Sequence, residues 1–533
     1  MFHFTRRSRS AVASAALAVA VVLAGCSSGG GATAPTAPAE TSAASAQGDT
    51  LTFAATFGPT SLDPALQSVD QVNNFYVNVA YDALTHIDGK GEVVPALAES
   101  WEYTDDTNTS FQLKIREGAK FSDGTDVTAE AVAASLEYSR TKGVNGPNWL
   151  SSVTSITALD GGIVELKTSE PNDSLPAVLS QRLLLGSIIS PAGLEDVEQL
   201  KSASFGAGPY VLDTAATVAG DTYVYTPNEY YWDPSKIHWK KIVVKVAGNT
   251  TSALQALQTG DADFMSGDAA TGAAAQNQGL GVATAPFGMT GVNIMDREGS
   301  IVPALADKRV RQALLHAVDR EALAKAVFPG FSTPGLSLFI NGMMGFADEV
   351  NDAFPYDLDK AKQLMAEAGY ADGFSVEVSA PTANNTNILG QAIVEEWSKL
   401  GVKANLTTYT DLGQWTTDIL ANKYPITIYN YGALPTYIVA KSFFTGGKTQ
   451  FNAFATDDAE ISVLLEAAAA APTQAEVEAG YAAVLKKAQV DEAYVSVTYV
   501  RDQIAIYDES KVTGFNLTSL NPVPDVWDIV PAS

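Results

Sequence analysis

A single cysteine, Cys26, serves a chain of 533 residues. Whatever fold the sequence adopts is therefore held without internal disulfides, and no cysteine-built zinc or iron–sulfur centre organises it. Stability has to come from apolar burial, and the length exceeds what one hydrophobic core usually organises, so two or three core-bearing regions are expected. With 46% hydrophobic and 17% charged residues, the composition is that of a globular protein rather than a disordered or polytopic one. The formal net charge of −27 argues against nucleic acid as a partner and is read as a solvated face that keeps the protein soluble.

The position of that cysteine is informative. Arg6, Arg7 and Arg9 precede a run of alanine, valine and leucine over residues 10–23, and Gly25 and Cys26 follow. This is the layout of a secretory signal peptide, and the apolar run is shorter than the ~20 residues that a membrane-spanning helix needs. Leu23-Ala24-Gly25-Cys26 resembles the bacterial lipobox. The expectation is that residues 1–25 are removed and that Cys26 carries the lipid, since two or more acyl chains give stable anchoring. Residues 26–48 are mostly Ser, Gly, Ala, Thr and Pro, a flexible linker with a reach on the order of 25–30 Å.

From Thr50 onward, β-rich runs alternate with capped amphipathic helices, the pattern of an α/β fold with mixed sheets. In residues 356–370, Asp357 is placed to cap a helix with Ala361, Leu364 and Met365 on one face, and Gly369 ends it. Residues 374–379 then read as a strand, 388–400 as a helix stopped by Gly401, and 402–409 as an alternating strand. Residues 251–260 read as a short helix closed by glycine. Thr473 and Glu476, just after Pro472, form a capping-box pattern that divides residues 457–490 into two helices.

The chain resembles the peptide and nickel class (family 5) of extracellular solute-binding proteins of ATP-binding-cassette importers. The resemblance begins at Thr60-Ser61-Leu62-Asp63-Pro64 and Ala96-Leu97-Ala98-Glu99-Ser100-Trp101, and is most specific in FQLKIREGAKFSDGTDVTAEAVAASL at residues 111–136. Further blocks are Gly206-Ala207-Gly208-Pro209-Tyr210, Asn228-Glu229-Tyr230-Tyr231-Trp232 and DKRVRQALLHAVDR at 307–320. Where the family usually has an acid, Ala131 stands. The resemblance implies a two-lobed periplasmic-binding-protein-like fold with an extra inserted subdomain in the first lobe. The expected boundaries are 49–81, 193–286 and 505–533 for lobe 1, 82–192 for the insert, and 287–504 for lobe 2. It also implies a monomer that captures a small peptide-like solute between its lobes, delivers it to permease subunits, and stays on the outer face of the cell membrane.

Family members that bind peptides place an aspartate against the ligand's α-amino group; at the matching position this sequence has Leu434. Either another acid enters the cleft or the ligand lacks a free N-terminus, because a buried amine without a carboxylate is costly. Tyr429, Asn430 and Tyr431 are the leading cleft candidates, since amphipathic rings and a carboxamide suit an extended solute. Alternate residues of one strand can equally be core. Trp415, Thr56, Phe57 and Trp149 are further candidates, with Asn385 and its neighbours Asn384 and Asn387 in a loop that the family places near the cleft.

No cofactor or bound metal is expected. Beyond the leader only His86, His238 and His316 occur, without ligand spacing, and no Gly-x-Ser-x-Gly elbow supports a hydrolase. Gly446-Gly447-Lys448-Thr449 imitates the end of a phosphate loop, but Ser442 stands where its leading glycine belongs. A solute-sensing receptor lipoprotein would use the same cleft and stays open beside import.

Overall fold

The computed structural model describes residues 47–533; Cys26, the leader and nearly all of the linker lie outside the described residues. The spine is an eleven-stranded mixed sheet. At one end Leu51–Ala55 lies parallel between Ile242–Val246 and Phe264–Gly267. At the other, Ser375–Pro381 lies parallel between Lys403–Tyr409 and Ile426–Gly432. Parallel neighbours need crossover connections, and helices such as Thr386–Ser398 supply them.

Two antiparallel strands, Gly281–Ile294 and Val495–Tyr507, join these ends with 14 and 13 residues. At ~3.3 Å per residue each runs on the order of 45 Å, longer than one core can cover. Their pairing slips between Pro286 and Gly288, leaving Phe287 bulged, and again between Thr290 and Gly291. At Gly291 a Cβ would lie 1.9 Å from the Ser496 carbonyl oxygen, so only glycine lets the two backbones approach there.

Separate cores flank the long strands. One cluster unites Leu51, Phe53, Phe75, Tyr210, Phe264 and Trp527, which come from three distant stretches of chain; Phe53 and Phe264 stack at 4.6 Å. Another gathers Val292, Leu314, Leu389, Ile393, Trp397 and Ile428, with the Trp397 indole donating to the Leu314 carbonyl at 2.9 Å.

Residues 98–168 build a second sheet of four strands, Ala98–Tyr103, Ser110–Ile115, Ile163–Thr168 and Val153–Leu159 in spatial order. In its second strand Phe111, Leu113 and Ile115 are buried and Gln112 and Lys114 are not, the alternation of a half-covered sheet. Thr128 caps the helix Ala129–Lys142 that packs on it. The apolar side of this sheet shares one cluster with Leu338, Phe443 and Tyr481 of the later chain.

Local grammar settles the helices. Asp357 accepts from the Lys360 amide at 2.8 Å to start Leu358–Glu367, which buries Ala361, Leu364 and Met365, and Gly369 takes φ +84° beyond its end. The helix expected at 251–260 is Thr250–Thr259, closed by Gly260 in the left-handed region. The region 457–490 divides into Ala459–Ala469 and Gln474–Leu485; Thr473 accepts from the Glu476 amide, while the Glu476 carboxylate takes the Thr473 hydroxyl at 2.6 Å instead of reaching back to the backbone.

The C-terminal tail returns to the first core. The Trp239 indole donates to the Ile529 carbonyl at 2.9 Å, Gln71 donates to the Pro522 carbonyl at 3.0 Å, and His86 meets Asp525 at 2.8 Å.

Candidate solute site

A cavity of about 810 Å³ opens between two walls that come from distant stretches of the chain. One wall is the short helix Gly146–Trp149, with Ser151, Ser152 and Glu170 behind the four-stranded sheet. The other is the helix Thr436–Phe444, the loop 445–451 and Tyr431 at the end of the strand Ile426–Gly432. Trp149 and Tyr431 are the two expected residues that the fold brings together here. Both are half-buried, each with a large ring facing the space and a polar tip.

Alternation within Ile426–Gly432 decides what its other candidates do. Tyr429 points to the same side as Tyr431 but two residues deeper, where it is fully buried against Phe443 and Phe451 at 5.2 and 6.2 Å. It is core, a correction to its reading as a cleft residue. Asn430 faces the opposite side, donating to Thr290 Oγ1 at 2.8 Å and accepting from the Asn384 amide at 3.1 Å. Asn384 and Asn385 both take left-handed backbone, φ +53° and +58°, and Asn385 makes no side-chain capping bond.

Trp415 is likewise corrected to a packing residue: it is 5% exposed, clusters with Met295, Ile419 and Tyr424, and donates to Ser379 Oγ at 3.1 Å. Thr56 and Phe57 follow the strand Leu51–Ala55 and do not line this cavity; Phe57 is 43% exposed, and its carbonyl accepts from the Tyr76 hydroxyl at 3.3 Å.

Several residues at the site were not singled out from the sequence. Glu170 reaches across to the second wall, 2.8 Å from Lys441 Nζ, and accepts from the Tyr437 hydroxyl at 3.1 Å. Both members of the ion pair are about one-third exposed, and such pairs contribute roughly 0–1 kcal/mol, so the contact closes the walls without locking them. Beside it, Trp101, Asp173, Ser174, Met344, Pro435 and Tyr437 line a second, smaller cavity. Burial pushes the Asp173 carboxyl up to about 7, against the 2.5 Å bond from the Tyr481 hydroxyl, which holds it down. Asp173 and Glu170 are thus the acids beside Pro435 and Tyr437, in the neighbourhood where Leu434 leaves its own strand without one. Both come from the chain segment before residue 192, more than 250 residues from Leu434, and no local pattern announces that meeting.

Among the described residues no group of three or more His, Cys, Asp or Glu is placed to hold a metal ion, and no helix is long and apolar enough to cross a membrane. The Gly446-Gly447-Lys448-Thr449 loop follows a helix rather than a strand and serves as cavity wall.

Comparison with known proteins agrees with this architecture. A sequence model described as "Bacterial extracellular solute-binding proteins, family 5 Middle" matches residues 92–452. The chain is 28% identical over 435 residues to heme-binding protein A of Haemophilus influenzae, covering 74% of this chain and 76% of that one. It is 29% identical over 375 residues to the glutathione-binding protein GsiB of Escherichia coli K12, covering 68% and 69%. Among solved structures, AgaA of A. tumefaciens R10 in complex with agropinic acid superposes with a TM-score of 0.74 at 25% identity, over 91% of this chain and 99% of the other. HbpA2 of Haemophilus parasuis reaches 0.78 at 21% identity, over 91% and 100%.

Proposed function

The chain belongs to the bacterial extracellular solute-binding proteins of family 5, and from that premise we propose that it captures a small peptide-like solute between two lobes and passes it to the permease of an ATP-driven importer. It is a binding protein of ABC importers that acts outside the cytoplasm, not an enzyme. The observation that carries the finer reading is the cavity, walled on both sides by half-buried aromatic and polar groups from distant stretches of the chain. A cavity of about 810 Å³ lies in the range of ~300–1,000 Å³ typical of small-molecule sites. Relatives named for haem, glutathione and agropinic acid support an organic, carboxylate-bearing solute of similar scale.

In this reading lobe 1 comprises 49–81, 193–286 and 505–533, the insert 82–192, and lobe 2 residues 287–504. Trp149 and Tyr431 grip the solute; Asn430, Asn385, Thr56 and Phe57 lie outside this cavity. The lobes swing about the crossover strands, with the bulge at Phe287 as the yielding point. Residues 1–25 are the leader, 26–48 the leash, and Cys26 the lipidated N-terminus; the protein acts as a monomer.

Native mass spectrometry of the untagged protein, released from the membranes of its own host, is expected to give a one-to-one complex that loses a few hundred daltons on denaturation. Membrane retention and palmitate labelling are expected to vanish in Cys26→Ser. A bare protein mass, together with unchanged solute uptake after deletion of the gene, would contradict the reading.

A further inference from the structure

Asp173 sits on the seam between the two walls, and no cation among the described residues acts on it. Its Oδ1 takes the Tyr481 hydroxyl at 2.5 Å; that bond, its own amide and burial are the influences on the carboxyl. The cavity it faces holds about 40 Å³, room for a few water molecules. Among the described residues that line this cavity Asp173 alone is charged, and Trp101, Met344, Pro435 and Leu520 make much of the rest apolar. An ionised carboxylate placed there loses its hydration and gains only one phenol.

The elements packed around Asp173 bring it phenols. Tyr103 comes from the strand Ala98–Tyr103, Tyr437 from the helix Thr436–Phe444 and Tyr481 from the helix Gln474–Leu485, and burial holds all three above their ordinary 10. None of them ionises in the neutral range. The other charges on these elements are engaged or exposed: Lys441 pairs with Glu170 at 2.8 Å, Glu476 takes the Thr473 hydroxyl at 2.6 Å, Glu478 takes the Gln474 amide at 3.0 Å, and Glu99 and Glu102 are exposed.

Both partners of the bond are held in position. Asn172, fully buried beside Asp173, accepts from the Ser174 amide and hydroxyl at 3.0 and 2.7 Å and donates to Ser152 Oγ at 3.1 Å. Opposite, Tyr481 is fully buried, and a Cβ on Gly345 would lie 2.3 Å from the Tyr481 Cβ. At φ +75° glycine allows that approach. The helix carrying Tyr481 packs on Ala459–Ala469, and that helix packs on Thr436–Phe444 of the second wall. Asn108 crosses the same seam, donating to the Ala469 carbonyl at 2.8 Å.

With the walls parted, the Asp173 carboxyl meets water and regains its ordinary value of 3.8; with the walls together, burial holds its proton up to about 7. The closed form therefore takes up a proton between these values. It loses ground as pH rises from 3.8 to about 7 and changes no further above that. We infer that the walls close around a protonated Asp173 and part as it ionises, so that the grip on the solute tightens in acid surroundings and slackens at neutral and alkaline pH. This rests on the solute-binding reading and adds a regulation of the same closure.

The test reads closure directly. Mature Cys26→Ser protein, unfolded, dialysed and refolded to remove any solute, carries spin labels at Leu159→Cys and Val463→Cys, both exposed positions. Distance distributions are recorded from pH 5 to 8 at equal ionic strength, and the ratio of short to long distances is expected to fall roughly 10- to 100-fold over that range. Asp173→Asn keeps the shape and the acceptor for Tyr481 without the charge, so its ratio at pH 8 is expected to match that of the wild type at pH 5 and to stay flat between. Tyr481→Phe removes the bond that holds the carboxyl down, so its pH response is expected to extend above 7, a shift that lost packing alone would not produce. A wild type that ignores pH, a response retained in Asp173→Asn, or a Tyr481→Phe response that ends at lower pH would each overturn the inference. A stripped protein that ignores pH while protein as isolated from its host shows the short distance would sink this inference and leave the binding reading intact. One broad distribution in both forms at every pH would remove both.

Discussion

His86→Ala is expected to lower the unfolding free energy by about 3–5 kcal/mol at pH 6, the usual cost of removing one partner of a buried ion pair. His86 Nε2 lies 2.8 Å from Asp525 Oδ2, both side chains are almost wholly buried, and the imidazole stacks on Trp527 with ring centres 3.9 Å apart. The substitution strands the Asp525 carboxylate and removes the stacking partner of the tail. Burial by itself would pull the imidazolium down, but the Asp525 charge and hydrogen bond, aided by Asp82 and Asp528, outweigh it and hold the His86 pKa above its usual 6.5. The contribution is therefore complete below pH 6.5 and is lost as pH rises through the raised value. For Asp525, burial works upward but His86 outweighs it and keeps the carboxyl below 3.8; that contribution is present above 3.8 and is lost only as pH falls through the lowered value.

Nearby Asp82, bonded to the Trp232 indole at 2.7 Å, is pushed up to about 6 by burial, so it costs stability as pH climbs from 3.8 to about 6 and adds no slope beyond. Denaturant melts from pH 5 to 9 should show the gap between wild type and His86→Ala narrowing above pH 6.5. A gap that stays constant, or a variant as stable as the wild type, would remove the tail clamp from the account.

Trp149→Ala and Tyr431→Ala are each expected to weaken solute binding by roughly 10- to 100-fold, the loss of an aromatic anchor at a desolvated contact. Tyr431→Phe should cost far less, because its hydroxyl makes only one long bond, 3.3 Å to Ser442 Oγ. Trp415→Phe and Tyr429→Phe are the controls: both side chains are core, so affinity should hold while thermal stability drops. Isothermal titration with the co-purified solute reads all five variants. Equal loss across the four aromatic positions would mean that the cavity between Trp149 and Tyr431 is not the site.

The division of labour among these residues follows from what a sequence can carry. Periodicity and capping speak over a few residues, so Asp357, Gly260 and Gly369 reported their helices. The crossover strands were harder, since Gly281–Ile294 mixes glycine and proline with its apolar residues, and its length only makes sense once two cores are seen on either side. Tyr429, Asn430 and Tyr431 were read as a unit because they are adjacent, whereas a strand sends neighbours to opposite faces. Glu170 and Asp173 meet their counterparts only through the tertiary fold, across more than 100 residues each. Side chains of this kind carry no local periodic mark and become legible only when burial and missing partners are counted.

Closure on a solute is the claim on which the rest depends, and the chain's single cysteine makes it directly measurable. Mature protein with Cys26 replaced, and spin labels at Leu159→Cys on the four-stranded sheet and Val463→Cys on the helix Ala459–Ala469, both exposed positions, gives one distance across the two parts. Ligand-stripped protein is expected to give a broad distribution reaching longer distances, and the co-purified solute to collapse it to one short distance that matches this structure, in which Glu170–Lys441 and Asp173–Tyr481 bridge the walls. Distributions that coincide with and without solute would contradict the account.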